Sequence, residues 1–397
     1  MKYDIVIIGG GPAGLSFACS MIDSNLKVLL IERSDANSIS NPKDDGREIA
    51  LTHLSLKILK RIGVWELISQ KEISPLREAK VFDGNSPSLL NFTVDKSSIE
   101  ALGYLVPNYL IRKALYERVC SSDSIEILTD TVVDDVIKGE HSSQVCLKGG
   151  KKIETKLVVA ADSRFSDIRR KVGIPTIMKD FSKVMIVTKM NHELKHNNTA
   201  LECFDYGQTI ALLPMVGNSS SIILTVSTDK SNSILSMDEE KFNQMITDSF
   251  KGEFGEMKQE GVRHSYPLIA THAETFISDR FALIGDASVG MHPVTAHGFN
   301  LGLRGQDILA KLVNEALNHG QDIGSKNLLK LYERKHINLT RLMFFGTNGI
   351  VALFTNDAPM VKKVRKLVLQ FAEKFPPIKY LISNHLTEAK NNKFLPF

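Results

Sequence analysis

The stretch "DIVIIGGGPAGLSFACSMIDSNLKVLLIE", residues 4–32, decides the fold. Ile5-Val6-Ile7-Ile8 is an unbroken apolar run, the pattern of a strand buried on both faces of a parallel sheet. Gly9, Gly11 and Gly14 follow as G-x-G-x-x-G. Leu15 to Ser24 reads as a helix. Val28 to Ile31 reads as a second buried strand, which Glu32 ends 18 residues after Gly14. Strand, glycine turn, helix, strand and acid in this register form the βαβ dinucleotide fingerprint. Its glycines allow a tight turn and bring a pyrophosphate to a helix N-terminus, and Glu32 can accept a hydrogen bond from a ribose hydroxyl. A 2′-phosphate would meet the Glu32 charge, so NADP is disfavoured in this turn, while NAD and FAD both stay open. No second G-x-G-x-x-G follows a strand elsewhere in the chain. That disfavours two-nucleotide reductase architectures and fits one tightly held dinucleotide served by a visiting electron donor.

The rest of the composition narrows the class. A chain of 397 residues allows two or three domains, or one large domain with an insert. The 43% hydrophobic content and a mean hydropathy of −0.06 suit a water-soluble globular protein. A net charge of +4 is too small to suggest nucleic-acid binding. Cys19, Cys120, Cys146 and Cys203 lie far apart without CxxC spacing, which argues against a metal site and for a reducing compartment. Met1-Lys2-Tyr3-Asp4 runs straight into the first strand, leaving no room for a signal peptide. No apolar run approaches the roughly 20 residues that span a bilayer. The expected location is therefore cytoplasmic.

Further along, Leu51, Leu54, Ile58, Leu59 and Ile62 have helical spacing, and Gly63 suits the C′ position that stops such a helix. Arg47 precedes it at a polar turn, where a guanidinium could meet a phosphate or remain on the surface. "NYLIRKALYERV", residues 108–119, is an amphipathic helix carrying Arg112. Ile125–Leu128, Val132–Val136 and 152–162 read as strands, and Ser166 to Val172 as a helix. Residues 76–95 and 183–228 read as β-strands with polar turns. The expected organisation is an α/β, Rossmann-like dinucleotide domain over 1–75, 96–180 and 270–345. Residues 76–95 and 181–269 are expected to form an inserted β-sheet substrate domain, and 346–397 a C-terminal helical region.

A second turn lies in "RFALIGDASVGMHPVTAHGFNLGLRGQDILAKLV", residues 280–313. A strand over Arg280–Ile284 delivers Asp286 at its carboxyl end. The loop "MHPVTAHG" leads into a helix whose N-terminus offers free N–H groups and partial positive charge. Pro293 stiffens the loop, and Gly298 would let backbone approach a ligand. A reduced flavin needs such a dipole near its ring, and Asp286 could accept hydrogen bonds from a ribityl chain. The two turns together suit FAD.

Five motifs then stand in a familiar order: "GGGPAG", "GREIAL" with "GVW", "IRKAL", "AADSRFSDIRR" and "GDASVGMHPVTAHGFNLGLR". In this order the chain resembles the single-component flavin aromatic hydroxylases of the p-hydroxybenzoate hydroxylase fold. Trp65 after "RIGV", "SYPL" at 265–268 and "FNLGLRGQDI" make it look most like the ubiquinone-biosynthesis hydroxylases, the UbiH, UbiF and UbiM group, and the UbiM-like branch within it. The likeness covers residues 1–355. It implies that Glu32, with its neighbour Arg33, serves the adenosine ribose, that Arg47 and Arg112 contact FAD, and that Val133 sits by the adenine. It places Asp286 at the ribityl or phosphate region and lines the isoalloxazine with Pro293, Gly298, Phe299 and Asn300. The sequence departs from the family at Asp162-Ser163, where Asp-Gly is usual, and at Thr295, where many relatives carry glycine.

The resemblance implies an FAD-dependent monooxygenase. NADH, NADPH or another donor reduces the flavin, molecular oxygen forms a C4a-hydroperoxide, and an electron-rich polyprenylated phenol or quinol accepts a hydroxyl. His292 and His297 are the titratable groups nearest the expected ring, as proton-transfer candidates or as loop histidines bonded to backbone. The rival functions are a prenyl reductase or another non-hydroxylating flavoenzyme of this fold, and an FAD-retaining scaffold without turnover. No metal is expected. Residues 331–397 carry 11 Lys and Arg against 4 Asp and Glu. Within them "MVKKVRKLVLQFAEK", 360–374, has the pattern of a basic amphipathic helix, which can pack on the body, on a ubiquinone-biosynthesis complex or peripherally on the inner membrane face.

Overall fold

The computed structural model describes residues 2–83, 90–94, 100–205, 208–293, 297–355 and 388. The segment 360–374 and Thr295 lie outside the described residues.

The opening strand, Lys2–Ile8, sits inside an eight-stranded sheet, with Ile5, Val6 and Ile7 fully buried. It pairs in parallel with Val28–Ile31 on one side and with Lys152–Ala160 on the other. Ile125–Leu128 extends the sheet beyond Val28–Ile31, and Phe281–Leu283 extends it beyond Lys152–Ala160, both in parallel. A strand so placed has neighbours on both edges and helices on its faces, so it needs apolar side chains pointing both ways. The glycine turn ends in the helix Pro12–Met21, which packs with Asn108–Cys120 and His297–Asn318 into the same core. Two expected boundaries shift. Arg280 lies outside its strand, in a left-handed conformation (φ +53°), its side chain on Asp322 and the carbonyls of Glu140 and Lys156. Leu51, read as the first apolar position of a helix, ends the strand Glu48–Leu51. The helix is His53–Arg61, capped by Thr52, whose Oγ1 accepts from the Ser55 N–H at 3.2 Å.

A second eight-stranded sheet joins the two inserted segments. Its order is Val289–Gly290, Met257–Ala273, Thr176–His192, Ser219–Ser227, Gln208–Pro214, Thr199–Asp205, Glu78–Asp83, Leu90–Thr93. Thr199–Asp205 pairs in parallel with Glu78–Asp83, beginning at Thr199 opposite Glu78. The expected limits at 181 and 269 fall inside Thr176–His192 and Met257–Ala273, two 17-residue strands that pair along their length. The outer face of this sheet is covered by Glu239–Ser249 and its neighbours, with Phe242 and Ile246 packed on Leu201, Ile210, Leu212 and Leu224. The inner face meets the dinucleotide half, where Tyr266 donates to the Asp45 carbonyl at 2.6 Å. Leu212 is fully buried in the outer cluster, and Pro214, two residues on, shares its side of the strand, so neither faces the flavin side.

Candidate active site

The two glycine turns meet. Gly285 has a left-handed φ of +58°, and a Cβ on it would come within 2.5 Å of the Ala13 Cβ. From the other side, a Cβ on Gly302 would sit 3.3 Å from the Gly285 Cα. The short turn Gly285–Ala287 is therefore pinched between the first turn of Pro12–Met21 and the helix His297–Asn318. No larger residue at 285 would allow this approach.

The first turn suits an anion. Gly9 (φ +107°) lies against the end of the Lys152–Ala160 strand, where a Cβ would come within 2.6 Å of the Ala161 carbonyl oxygen. A Cβ on Gly14 would overlap the Gly9 carbonyl oxygen. Gly11 differs, since among the described residues nothing lies within 4 Å of the place its Cβ would take. It is also the N-cap of Pro12–Met21 and provides no side-chain cap, so the first N–H groups of that helix face open space. Glu32 closes the turn: its carboxylate accepts from the Gly10 N–H at 2.6 Å and from the Ser34 N–H at 2.8 Å. Arg33 beside it is exposed. Thr131 donates its N–H to the Glu32 carbonyl, which brings the start of Val133–Ile137 alongside, although the Val133 side chain is itself buried.

Arg47 leads into Glu48–Leu51. Its Nε donates to Asp45 at 3.0 Å, and its guanidinium lies 5.5 Å from the Tyr266 ring centroid. Burial opposes charge on Asp45, but hydrogen bonds from Arg47 and Asn108 outweigh it and hold the carboxyl below its usual range. Arg112 stands one helical turn beyond Asn108, on the same face. It is half-buried and has no hydrogen bond or ion pair among the described residues.

Asp286 is half-exposed and accepts from Arg164 at 3.2 Å, while Arg164 also donates to the Ile269 carbonyl at 2.8 Å. Arg169, almost fully buried, donates to the Ala287 and Arg164 carbonyls and so supports both. These arginines went unassigned from sequence, although "AADSRFSDIRR" carries both. Ser163, in place of the family's glycine, is exposed and not left-handed, so serine is accommodated there without strain.

Beyond the turn, Pro293 is exposed and Phe299 half-buried. Among the described residues Gly298 has only ordinary contact, with the Met291 Cβ at 3.7 Å, so packing among them does not call for a glycine there. Asn300, expected at the ring, is buried and engaged elsewhere. Its Nδ2 donates to the Ala50 carbonyl at 2.8 Å and its Oδ1 accepts from the Thr52 N–H at 3.1 Å, stapling the helix to Glu48–Leu51. His297 is buried in the first turn of that helix. His292 packs edge-on to Phe181 at 4.7 Å. Burial first, then the charges of Lys183 and Arg164, push its pKa down to about 4. So weak a base is poorly suited to taking a proton from a phenol.

An open helix N-terminus, an acid clamped beside it, an arginine without a partner among the described residues and a second helix N-terminus fit an extended dinucleotide such as FAD. Among the described residues no group of His, Cys, Asp or Glu is arranged to hold a metal.

Comparison with known proteins agrees. Residues 2–343 match the family described as FAD binding domain. The ubiquinone hydroxylase UbiM of Neisseria meningitidis is 48% identical over 98% of this chain and 85% of its own. UbiL of Rhodospirillum rubrum, also a ubiquinone hydroxylase, is 32% identical over 96% and 89%. Among solved structures, p-nitrophenol 4-monooxygenase PnpA of Pseudomonas putida superposes with a TM-score of 0.78 at 15% identity, covering 99% of each chain. That likeness is one of fold.

Proposed function

This chain belongs to the FAD binding domain family and, within it, to the ubiquinone hydroxylase group, and from that premise we propose that it hydroxylates the ring of a polyprenylated phenol or quinol in ubiquinone biosynthesis. It is an FAD-dependent monooxygenase. The observation that supports the reading is the close approach of Gly285 to Ala13, which brings the turn after the strand Phe281–Leu283 against the first turn of the helix Pro12–Met21. Bound FAD supplies the oxygen-transfer chemistry, with molecular oxygen as co-substrate and NADH, NADPH or another donor as reductant.

The chain's residues bind and orient it. The helix N-terminus after Gly11 takes the pyrophosphate, and Glu32 takes the adenosine ribose, with Arg33 and Val133 at the adenine end. Arg47, beside Tyr266 of the inserted sheet, and Arg112 would hold the phosphates. Asp286 serves the ribityl chain. Pro293, Gly298 and Phe299 border the ring, and Asn300 fixes the strand beside it. An apolar wall of Leu90, Phe92, Leu102 and Phe204 on the inner face suits a hydrophobic quinone precursor.

Incubation with isotopically labelled molecular oxygen tests the reading. One labelled atom enters the product per hydroxylation and the other leaves as water. Label arriving from water instead excludes monooxygenation, and loss of a side-chain double bond favours a prenyl reductase. No helix among the described residues is long and apolar enough to cross a membrane. We propose that the basic, apolar segment 360–374 brings the enzyme to an anionic membrane surface or a biosynthetic partner. Changing Lys362, Lys363 and Lys366 to glutamate then lowers binding to anionic liposomes without lowering flavin content.

A further inference from the structure

We propose that Glu202 binds the ring hydroxyl of the substrate and takes its proton. This rests on the reading of the site as an aromatic hydroxylase.

Glu202 lies on the strand Thr199–Asp205, whose side chains alternate between two faces. Leu201 and Cys203 join the outer cluster under the helix Glu239–Ser249. Glu202 therefore points to the inner face, with Ala200 and Phe204. Strand register sets it in a row across the sheet: Val81, Glu202, Ala211, Ile223, Val187, His264. At the end of that row the His264 ring lies where a Cβ on Gly46 would be, 2.7 Å away, which marks the face as the one turned to the flavin half.

Two separate apolar clusters occupy this face. One holds Phe92, Leu102 and Phe204, with Val81 packed on it. The other holds Met185, Val187 and Leu268, with Ile223 and Phe181 packed on it, and Phe181 touches His292. Glu202 and the small Ala211 stand between the two. Glu202 is partly exposed as a residue, but its carboxyl group is enclosed and makes no hydrogen bond or ion pair among the described residues. An acid with Val81 and Ala211 as cross-strand neighbours is costly unless a ligand completes it.

Burial alone pushes the Glu202 pKa up to about 8. That is about two units below a simple phenol near 10, a workable match for proton transfer. The other charged groups of this face do not perturb it. Lys189 is paired with Glu260, and Arg47 with Asp45. Glu48 of the flavin half interacts with Asp44 and Lys189, and His264 is four strands away, about 19 Å at the usual spacing. In the proposed step the substrate O–H bond breaks and its proton forms an O–H bond on the Glu202 carboxylate. The electron pair stays on the ring oxygen and enriches the ring that must be hydroxylated. The proton leaves to solvent once product departs.

The test uses the FAD-loaded full chain with a short-chain prenylated phenol and its O-methyl ether, followed by flavin absorbance between pH 6 and 9.5. Wild type binds the phenol at least about tenfold better than the ether, as expected for a charge-assisted hydrogen bond. Its affinity for the phenol rises through pH 8, and ether binding does not change with pH. Glu202→Gln keeps flavin content and ether affinity but loses both the preference and the pH response, and Glu202→Asp restores part of each. Ala211→Val, which fills the space beside the carboxylate, weakens both probes at full flavin content. If preference and pH response survive in Glu202→Gln, the proposal is overturned while the hydroxylase reading stands. If neither probe binds flavin-replete wild type, both fall.

Discussion

The Glu32 carboxylate accepts a hydrogen bond from the Gly10 N–H at 2.6 Å, so the acid ending the second strand is clamped to the turn ending the first. Glu32→Ala removes this clamp together with the ribose contact. We expect FAD affinity to fall by about 1.5–3 kcal/mol, the range for hydrogen bonds to charged groups. Gly14→Val costs more, because its side chain would overlap the Gly9 carbonyl and push the helix off the strand. Titration of apoprotein with FAD, followed by flavin fluorescence, measures both. Unchanged affinity in both variants removes the assigned geometry.

Gly298 separates folding from flavin seating. Among the described residues only Met291 faces its missing Cβ, at a comfortable 3.7 Å. Gly298→Val should therefore keep apoprotein stability within about 1 kcal/mol. It should abolish hydroxylation more severely than it lowers FAD affinity. A variant apoprotein that unfolds at much lower urea would show that the glycine serves the fold.

Asn300 gives the opposite pattern. Replacing it with alanine leaves the Ala50 carbonyl and the Thr52 N–H without their partner in a buried setting. Destabilisation of about 1–3 kcal/mol is expected from the urea midpoint. A midpoint equal to wild type would show that the staple contributes nothing.

Acid should destabilise the protein through buried histidines. Desolvation, then Lys183 and Arg164, lowers His292 to about 4. Desolvation, then Arg304 and His272, lowers His336 to about 3. Both folded values lie below the ordinary value near 6.5, so the unfolded chain binds protons first. The stability is complete above about pH 6.5 and is lost progressively below it, down to about pH 4 for His292 and about pH 3 for His336. His336 lies among Phe276 and Tyr332, and neither ring nitrogen has a hydrogen-bond partner among the described residues. His336→Leu should therefore shrink the difference in urea midpoint between pH 7.5 and pH 5. An undiminished difference would rule His336 out as a source.

What the sequence revealed was local. Ile5 to Ile8 and the glycines announce themselves because a doubly buried strand and a tight turn constrain residue type within a few positions. What it concealed depends on distant partners. Asn300 meets Thr52 across 248 residues, and no spacing near Asn300 signals that bond. Ile210 to Pro214 is apolar at every position, so alternation could not show that Leu212 faces outward. The strand Glu48–Leu51 was hidden because Leu51 continues the helical spacing of Leu54 and Ile58. Glu202 could have been noticed as a lone acid in a strand pattern, but whether it faced solvent or substrate depended on the pairing of five other strands.

The parallel pairing of Thr199–Asp205 with Glu78–Asp83 also governs the timing of assembly. Thr199 and Glu78 are 121 residues apart. At ribosomal speeds of about 5–20 residues per second, the earlier strand waits about 6–24 s for its partner to be synthesised. Until then its edge stays unpaired, and closing so long a loop is intrinsically slow. Nascent chains halted before residue 199 should therefore carry a folded first βαβ unit beside an adhesive strand, and chaperone demand should peak in that interval.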